Sequence, residues 1–335
     1  MRFARPRLSQ RLKQRAMAIG AVALVLPVGA GIAGGAVAAA APTHAGPAKT
    51  APAGGYEELW VPSSMGPIKV QVQWAARGGS SALYLLDGLR ARNDRNAWSF
   101  ETNAFDQYRN DNVTLVMPVG GESSFYSDWY SASNFNGQPV TYKWETFLTQ
   151  ELPDFLANYG VSRTNNAVLG LSMGGSAALT LAAYHRDQFK FAGSLSGYLN
   201  ISAPGMREAI RIAMLDSGGY NADCMWGPPW DPAWLRNDPF VAAPLLRGLP
   251  MWISAGAGLP GPHDQPQSAI DVFNVGTGMG LDAIALAQNR AFQVRLDTLG
   301  IPAHYDFPAQ GTHSWGYWQD QLWAMLPMMK ASIGA

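Results

Sequence analysis

The sequence predicts an α/β domain whose mostly parallel central sheet is entered by an antiparallel hairpin and covered by helices on both faces. Three observations support this prediction. Short continuous apolar runs alternate with longer helical patterns. The first two strand patterns instead alternate apolar with polar residues, as half-buried antiparallel strands do. A strand-like run in mid-chain ends in Gly170-Leu-Ser-Met-Gly174, and a helical pattern begins directly behind it.

The first 55 residues differ in composition from the rest of the chain. Six Lys and Arg precede a stretch without charge, residues 16–41, which ends in small residues. This pattern predicts a cleaved signal peptide over residues 1–41. A retained membrane anchor is the alternative, because the apolar run is long enough to span a bilayer. Residues 42–55, rich in Ala, Pro, Gly and Thr, are predicted to be a disordered linker, and residues 56–335 a single domain.

Charge and cysteine content exclude several classes of function. Removal of the leader leaves 18 of the 24 Lys and Arg against 24 Asp and Glu, a net charge of −6. A mildly acidic surface argues against nucleic acid as a partner. A single cysteine, Cys224, allows neither an internal disulfide nor a cluster of thiolates for a metal. We therefore expect no metal and no cofactor, and an exported protein of a bacterial envelope.

The individual elements follow in chain order. Residues 56–75 read as the opening hairpin. Continuous apolar runs predict strands buried on both faces, and they cover residues 82–86, 113–118, 167–171, 191–195 and 251–254. Helical patterns cover residues 98–108, 143–159, 176–184, 282–299 and 317–331. Residues 204–250 are rich in Gly, Pro and Trp, and they predict an excursion over the sheet that would wall a substrate site.

Ser172 has the setting of a nucleophile elbow. Gly170 and Gly174 lie two positions before and after it, and a Cβ at these positions would collide with the neighbouring backbone of so tight a turn. The helix behind it would favour negative charge near the hydroxyl. A Gly-rich turn with an idle serine is the alternative, because such five-residue matches arise by chance in a chain with 36 glycines. The flanking strand and helix patterns favour the elbow, and an elbow at mid-sheet indicates an α/β-hydrolase fold.

In that fold the catalytic base follows the last strand, which is the position of His313. His304 lies within that strand, and His185 ends the helix behind the elbow, so both are expected to be structural.

The acid that orients the base is less determined by the sequence. The position after the strand ending near Ser254 nominates Asp264, and Asp271, Asp282 and Asp297 lie further downstream. Each of these carboxylates could equally be solvated or cap a helix.

The oxyanion hole requires two backbone N–H groups. One comes from Met173, directly after the nucleophile. The other is predicted in the turn after residues 82–86, with Leu89 as the candidate. Asp87 and Arg90 of the same turn would then border the site.

Several longer segments together closely resemble the secreted mycolyltransferases of the antigen 85 family. They are residues 83–90, 116–130, 141–148, 170–174, 231–234 and 311–315. The resemblance runs from about Tyr56 to the C-terminal helix. It implies transfer of a mycolic acyl chain from trehalose monomycolate to a second sugar hydroxyl, which gives trehalose dimycolate or mycolylated arabinogalactan. The implied partners are trehalose mycolates, cell-wall glycans and the lipids of the envelope.

The resemblance also assigns roles by position. Ser172 matches the nucleophile, His313 the base, and Leu89 and Met173 the oxyanion donors. The family acid is a glutamate at a helix start, and Asp282 occupies that position, which favours it over Asp264.

The positions at which the family contacts trehalose hold Asp87, Arg90, Asn200, Ser314 and Trp315. Asn200 stands where the family has an aspartate. Two other functions stay open from the sequence alone: a carboxylesterase on the same fold, and a non-catalytic carbohydrate- or matrix-binding member of the family.

Overall fold

The computed structural model describes residues 49–335, in which eight strands form one sheet. The strands are β1 (Tyr56–Val61), β2 (Ile68–Gln73), β3 (Ala82–Leu86), β4 (Thr114–Pro118), β5 (Asn166–Leu171), β6 (Phe189–Leu195), β7 (Met251–Ser254) and β8 (His304–Asp306). Their order across the sheet is β1-β2-β4-β3-β5-β6-β7-β8. The pairs β1–β2 and β2–β4 are antiparallel, and all others are parallel. The predicted α/β-hydrolase sheet with its opening hairpin is confirmed.

The helices lie in the connections between the strands and after β8. They are α1 (Trp98–Glu101), α2 (Ala104–Tyr108), α3 (Trp144–Thr146), a π-helix (Phe147–Glu151), α4 (Leu152–Ala157), α5 (Met173–Tyr184), α6 (Met206–Gly218), α7 (Ala222–Trp226), α8 (Ala233–Arg236), α9 (Pro239–Ala242), a 3₁₀-helix (Ala243–Leu246), α10 (Ala269–Leu299), α11 (Trp315–Ala324) and α12 (Leu326–Ile333). The predicted excursion over residues 204–250 therefore consists of the short helices from α6 to the 3₁₀-helix.

Two apolar clusters cover the two faces of the sheet, because successive strand residues point to opposite sides. Tyr84 and Leu86 belong to the cluster that contains α5. Leu83 and Leu85 belong to the cluster that contains the apolar residues of α11 and α12. The strands are consequently buried on both faces, which explains why they read as continuous apolar runs rather than alternating ones.

Several predicted helices have different bounds in the structure, and two of them show why. The helix expected over residues 98–108 is divided, because Thr102 adopts an extended conformation between α1 and α2. The helix expected to start at Asp282 begins at Ala269, where the Ser268 side chain caps it by accepting the Asp271 N–H at 3.2 Å. Glycines at 276, 278 and 280 lower helix propensity, so the sequence pattern placed the start too late.

The N-terminal segments are described only in part. The predicted signal peptide and residues 42–48 of the predicted linker lie outside the described residues. Residues 49–55 lie against the domain: the Lys49 N–H donates to the Asn158 carbonyl oxygen at 2.8 Å, and the Gly54 N–H donates to the Ala75 carbonyl oxygen at 3.1 Å. Ala51 packs on the core. These contacts differ from the expectation of disorder up to residue 55.

A glycine at the end of β5 gives a first prediction. An ideal Cβ on Gly170 would lie 2.1 Å from the Gly174 carbonyl oxygen. We expect Gly170→Ala to lower the free energy of unfolding by about 3 kcal/mol or more, because backbone must move to admit the methyl group. Gly280→Ala is the matched control: its Cβ meets no atom within 4 Å, and alanine should stabilise the α10 helix by about 0.5–1 kcal/mol. Urea denaturation followed by tryptophan fluorescence measures both, and equal effects would contradict the prediction.

Candidate active site

Ser172 lies on the sharp turn between β5 and α5. Its backbone angles are φ 53° and ψ −121°, a conformation that non-glycine residues rarely adopt. The Ser172 N–H donates to the Leu195 carbonyl oxygen at the end of β6, 2.8 Å away. An ideal Cβ on Gly174 would lie 2.4 Å from the Asp87 carbonyl oxygen. The turn after β3 therefore lies directly against the elbow, and only glycine fits between them.

His313 and Asp282 form a buried pair. The His313 Nδ1 lies 2.8 Å from the Asp282 Oδ1, and the other carboxylate oxygen accepts the Gly256 N–H at 2.9 Å. Asp282 is 1% exposed. It lies in the interior of α10 rather than at a helix start, so that part of the prediction is wrong. Its shorter side chain nevertheless reaches the imidazole.

Aromatic packing positions the His313 ring. The edge of the Trp318 ring meets the imidazole at 4.9 Å between centroids and 89° between planes. The Trp318 Nε1–H donates to the Ser196 hydroxyl at 3.0 Å. Ser196 directly follows Leu195, which accepts the Ser172 N–H. The elbow and the His313–Asp282 pair therefore lie at the same edge of the sheet, where β5, β6 and β7 end.

Asp264, the runner-up acid, contacts other groups. Its Oδ1 accepts the Thr312 hydroxyl at 2.6 Å, and its Oδ2 accepts the Tyr317 hydroxyl at 2.6 Å and the Gly261 N–H at 2.9 Å. Both carboxylate oxygens are thus used to tie down the loop that carries His313. Asp271 helps to begin α10 through its N–H bond to Ser268.

The predicted oxyanion donors Leu89 and Met173 belong to two turns that lie against each other. An ideal Cβ on Gly88 would lie 3.6 Å from the Ser172 Cβ, so the turn that contains Leu89 is adjacent to the serine. Within residues 49–335, neither the Leu89 N–H nor the Met173 N–H donates to a protein acceptor. The Met173 side chain is fixed, since its sulfur accepts the Phe125 N–H at 3.2 Å.

Asp87 and Arg90 have different environments. Asp87 is 1% exposed, and its carboxylate accepts the Ala97 N–H, at 2.9 Å to the nearer oxygen. The structure therefore gives this carboxylate a place inside the fold, at the start of α1, rather than an open sugar-facing position. Arg90 is exposed and pairs with Asp216 of α6 at 2.5 Å.

The other three predicted sugar contacts are half-buried. Trp315 meets the rings of Trp98 and Trp318 edge-to-face, at 5.3 and 5.2 Å between centroids. The Ser314 hydroxyl oxygen is buried and has no partner among the described residues. Asn200 lies five residues beyond the end of β6. The structure thus places Ser314 and Trp315 beside His313, on the loop and first turn of α11.

The other described histidines lie outside this arrangement. His304 stacks on Trp252 with 3.9 Å between ring centroids. The His185 Nε2 lies 2.8 Å from a Glu145 carboxylate oxygen. His263 pairs with Asp320. Among residues 49–335, no group of three or more His, Cys, Asp or Glu side chains is arranged to hold a metal ion.

Sequence reasoning missed several residues that support the pair. Thr312, Tyr317 and Trp318 hold the His313 loop, and Gly256 donates to Asp282. Their contacts join segments distant in sequence, so no local pattern marks them. The one available signal was the position of Trp318 one turn into the helix that follows His313.

The burial of Asp87 predicts a pH-dependent stability. Desolvation raises the pKa of its carboxyl to about 7, although the hydrogen bond from the Ala97 N–H acts to lower it. The unfolded carboxyl titrates near 3.9, so the folded state keeps a proton that the unfolded state releases. Stability from this group is complete below the unfolded pKa and is lost as the pH rises through about 7.

We therefore expect Asp87→Asn to gain stability relative to the unsubstituted protein as the pH rises from 4 to 7, by at most about 1.4 kcal/mol per pH unit. The amide oxygen can still accept the Ala97 N–H, and it does not titrate. Urea denaturation of both proteins at about pH 4.5, 6 and 7.5 measures the difference in their free energies of unfolding. A difference independent of pH would contradict the prediction.

Comparisons with known proteins show the family and the fold. The Esterase family model matches residues 63–329. The chain is 49% identical over 277 residues to the diacylglycerol acyltransferase/mycolyltransferase Ag85C of Mycobacterium leprae, an alignment that covers 81% of this chain and 80% of that protein. It is 46% identical over 332 residues to the diacylglycerol acyltransferase/mycolyltransferase Ag85B of Mycolicibacterium smegmatis, covering 96% of each.

Solved structures give the same fold. MPT51 (FbpC1) of Mycobacterium tuberculosis superposes with a TM-score of 0.72 at 34% identity, over 83% of this chain and 99% of that one. The serine hydrolase FphF of Staphylococcus aureus, at 15% identity and a TM-score of 0.60, shares the fold over 83% of this chain and 98% of its own. The chain is an esterase-family protein with an α/β-hydrolase fold. Within that class it belongs to the antigen 85 family of diacylglycerol acyltransferases/mycolyltransferases, which confirms the resemblance seen in the sequence.

Proposed function

We propose that this chain moves a mycolic acyl chain from trehalose monomycolate to trehalose, forming trehalose dimycolate, or to cell-wall arabinogalactan, through an acyl-Ser172 intermediate. One observation carries the proposal: in a member of this family, the buried His313–Asp282 pair, 2.8 Å between Nδ1 and Oδ1, lies at the sheet edge where the Ser172 elbow ends β5. In the proposed mechanism Ser172 is the nucleophile, His313 the base and Asp282 the orienting acid.

The first half-reaction forms the acyl-enzyme. His313 Nε2 takes the Ser172 hydroxyl proton as Oγ attacks the ester carbonyl carbon. The Leu89 and Met173 N–H groups donate to the oxyanion that develops on the carbonyl oxygen. The bond to the sugar oxygen then breaks, and trehalose leaves with the proton that His313 returns to it. Asp282 accepts the Nδ1–H throughout, which keeps Nε2 free to receive the proton.

The second half-reaction reverses these roles. An acceptor sugar hydroxyl gives its proton to His313 Nε2 and attacks the acyl carbonyl carbon, and Ser172 leaves with that proton. Transfer must outcompete hydrolysis, which favours a site with little access for water. Ser172 is 8% exposed, in agreement with this requirement. Arg90, Asn200, Ser314 and Trp315 would hold the sugar, whereas Asp87 would act by ordering the turn that carries Leu89.

The apolar surface of α10 supports a lipid partner, and the predicted leader supports an exported location. Ile270, Val272 and Phe273 expose apolar side chains on its first turns, and the Gly278 carbonyl oxygen of the same helix accepts the His313 N–H at 3.2 Å. In length and composition α10 also resembles a membrane-crossing helix. We infer that this apolar surface meets the acyl chains of envelope lipids. The leader predicted over residues 1–41 agrees with a secreted or envelope location.

Product analysis tests the proposal. The purified protein is incubated with trehalose monomycolate alone, and the products are separated by chromatography and identified by mass spectrometry. We expect trehalose dimycolate and free trehalose. Free mycolic acid as the main product would identify a carboxylesterase instead. No product, together with no labelling of Ser172 by a fluorophosphonate, would identify a binding protein without catalysis.

A further inference from the structure

A second cavity lies remote from Ser172. Its volume is about 550 Å³, within the range of small-molecule sites, and its walls come from the loop after β4, from the segment of α3 and the π-helix, from the residue after α5, and from α8. Helix α5 begins directly behind Ser172 and ends at Tyr184, so its length of about 18 Å separates the elbow from His185 in the cavity wall. The cavity is therefore distinct from the candidate active site.

The carboxylate of Glu145 lies at the centre of the polar wall. Its side chain is 15% exposed, and its Oε1 accepts the Arg236 guanidinium at 2.6 Å and lies 2.8 Å from the His185 Nε2. Burial raises the pKa of Glu145, but the hydrogen bonds from His185 and Arg236 outweigh it, and the pKa is lowered overall. The other oxygen, Oε2, has no hydrogen-bond partner in the described part of the chain.

The π-helix is an independent sign of function. Such helices are rare, and they occur frequently at functional sites. This one follows α3 without a break, and its Thr149 and Gln150 line the cavity. The Thr149 hydroxyl donates to the Glu145 carbonyl oxygen at 2.7 Å. The Gln150 side chain is exposed, and its amide has no protein partner among residues 49–335, so it offers both a donor and an acceptor.

Aromatic rings complete the cavity. Tyr130 is 62% exposed, and its hydroxyl donates to the Asp231 carboxylate at 3.0 Å, which fixes the ring. Trp226 is buried beside it, with its N–H already donated to the Ser127 hydroxyl at 2.9 Å. The indole lines the cavity, although only 2% of the Trp226 residue surface is exposed.

The cavity contains charged side chains of both signs. The Arg236 guanidinium pairs with Glu145, while Asp128 accepts the Thr146 N–H at 3.1 Å and the Thr146 hydroxyl at 2.6 Å. An anion entering the cavity would meet two carboxylates, and a cation would meet a guanidinium. A neutral ligand with many hydroxyl groups and an apolar ring face suits this lining best.

We propose that this cavity is a second saccharide site, which binds a neutral sugar of one or two rings with its C–H face on Tyr130 and its hydroxyl groups on Glu145, Gln150 and Arg236. The site does not depend on the proposed acyl transfer. It would hold the protein on a glycan while the Ser172 edge of the sheet stays free for an acyl donor and acceptor.

Fluorine NMR of protein labelled with 5-fluorotryptophan tests the proposal, because Trp226 reports on the cavity and Trp315 on the candidate active site. Resonances are assigned by single Trp→Phe substitutions. Trehalose and methyl arabinofuranoside are the neutral probes, with glucose 6-phosphate and glucosamine as charged comparators. We expect the neutral sugars to shift the Trp226 resonance in a saturable way.

Two substitutions of exposed side chains locate the binding. Tyr130→Ala and Gln150→Ala should each weaken the Trp226 response about tenfold, the equivalent of about 1.4 kcal/mol, and leave the Trp315 response and acyl transfer unchanged. Gln107→Ala, an exposed glutamine of α2 outside the cavity, is the matched control and should behave as the unsubstituted protein. The proposal is overturned if neutral sugars leave Trp226 unshifted, if only charged sugars shift it, or if both cavity variants titrate like the control.

Discussion

Ser172→Ala is expected to lower kcat for acyl transfer from trehalose monomycolate by at least about 10⁴-fold, since loss of the nucleophile from a catalytic triad has effects of this size or larger. The fold should persist, because the backbone that forms the elbow is held by the Ser172 N–H bond to Leu195 and by the glycines around it, and alanine keeps the N–H. The measurement is single-turnover formation of the acyl-enzyme by mass spectrometry, together with steady-state product formation.

A second serine offers a matched control. Ser194 in β6 is fully buried near the elbow, and its hydroxyl has no partner among the described residues. Ser194→Ala removes an unpaired hydroxyl, so we expect little change in stability or in kcat. If Ser172→Ala kept full transacylation, or if fluorophosphonate still labelled the variant, another residue would have to carry the acyl group and the assignment would be wrong.

The sheet was predictable from the sequence because burial on both faces leaves a direct signature. The residues of β3, for example, are all apolar. The elbow glycines are required because a Cβ at their positions would lie closer to neighbouring backbone atoms than real Cβ atoms do. Local patterns of this kind depend on neighbours in the sequence. They identified Ser172 and the position of His313 after the last strand without long-range information.

The surroundings of the site were less predictable, because they depend on long-range packing. A turn of the form Asp-Gly normally exposes its carboxylate, whereas Asp87 is buried by the start of α1. The glycines of α10 concealed three turns of helix, and with them the exposed apolar side chains of Ile270 and Phe273. No local pattern marks which of two distant carboxylates meets an imidazole, and only the family resemblance favoured Asp282.

The choice between Asp282 and Asp264 shows this limit most clearly. The usual place of the acid in this fold, after β7, led from the residues alone to Asp264, whose carboxylate instead binds Thr312 and Tyr317. Helix α10 returns past the end of β7, so that Asp282 lies against Gly256 there as well as against His313. Asp282 thus contacts the imidazole ring of His313, whereas Asp264 contacts the loop that carries it. Substituting each acid separately distinguishes their roles.

Asp282→Asn is expected to lower kcat by about 10³–10⁴-fold, the size of effect seen when the orienting acid of a triad becomes an amide. The amide can still accept the Gly256 N–H through its oxygen. Its NH₂ group then faces the His313 Nδ1 and favours the tautomer with the proton on Nε2, which cannot take the Ser172 proton. Asp264→Asn retains an acceptor for one of the two hydroxyls, so a loss of no more than about tenfold is expected, the equivalent of about 1.4 kcal/mol.

Proton NMR separates an orienting role from a merely structural one. A hydrogen-bonded Nδ1–H of His313 gives a downfield resonance, which should vanish in Asp282→Asn and persist in Asp264→Asn, while thermal unfolding verifies that both variants are folded. Because the carboxylate that accepts this proton is the one that stabilises the imidazolium formed during transfer, the resonance and kcat should be lost together. If Asp264→Asn instead abolished both, the acid would act from the loop, and the Asp282 contact would be a structural bond of α10.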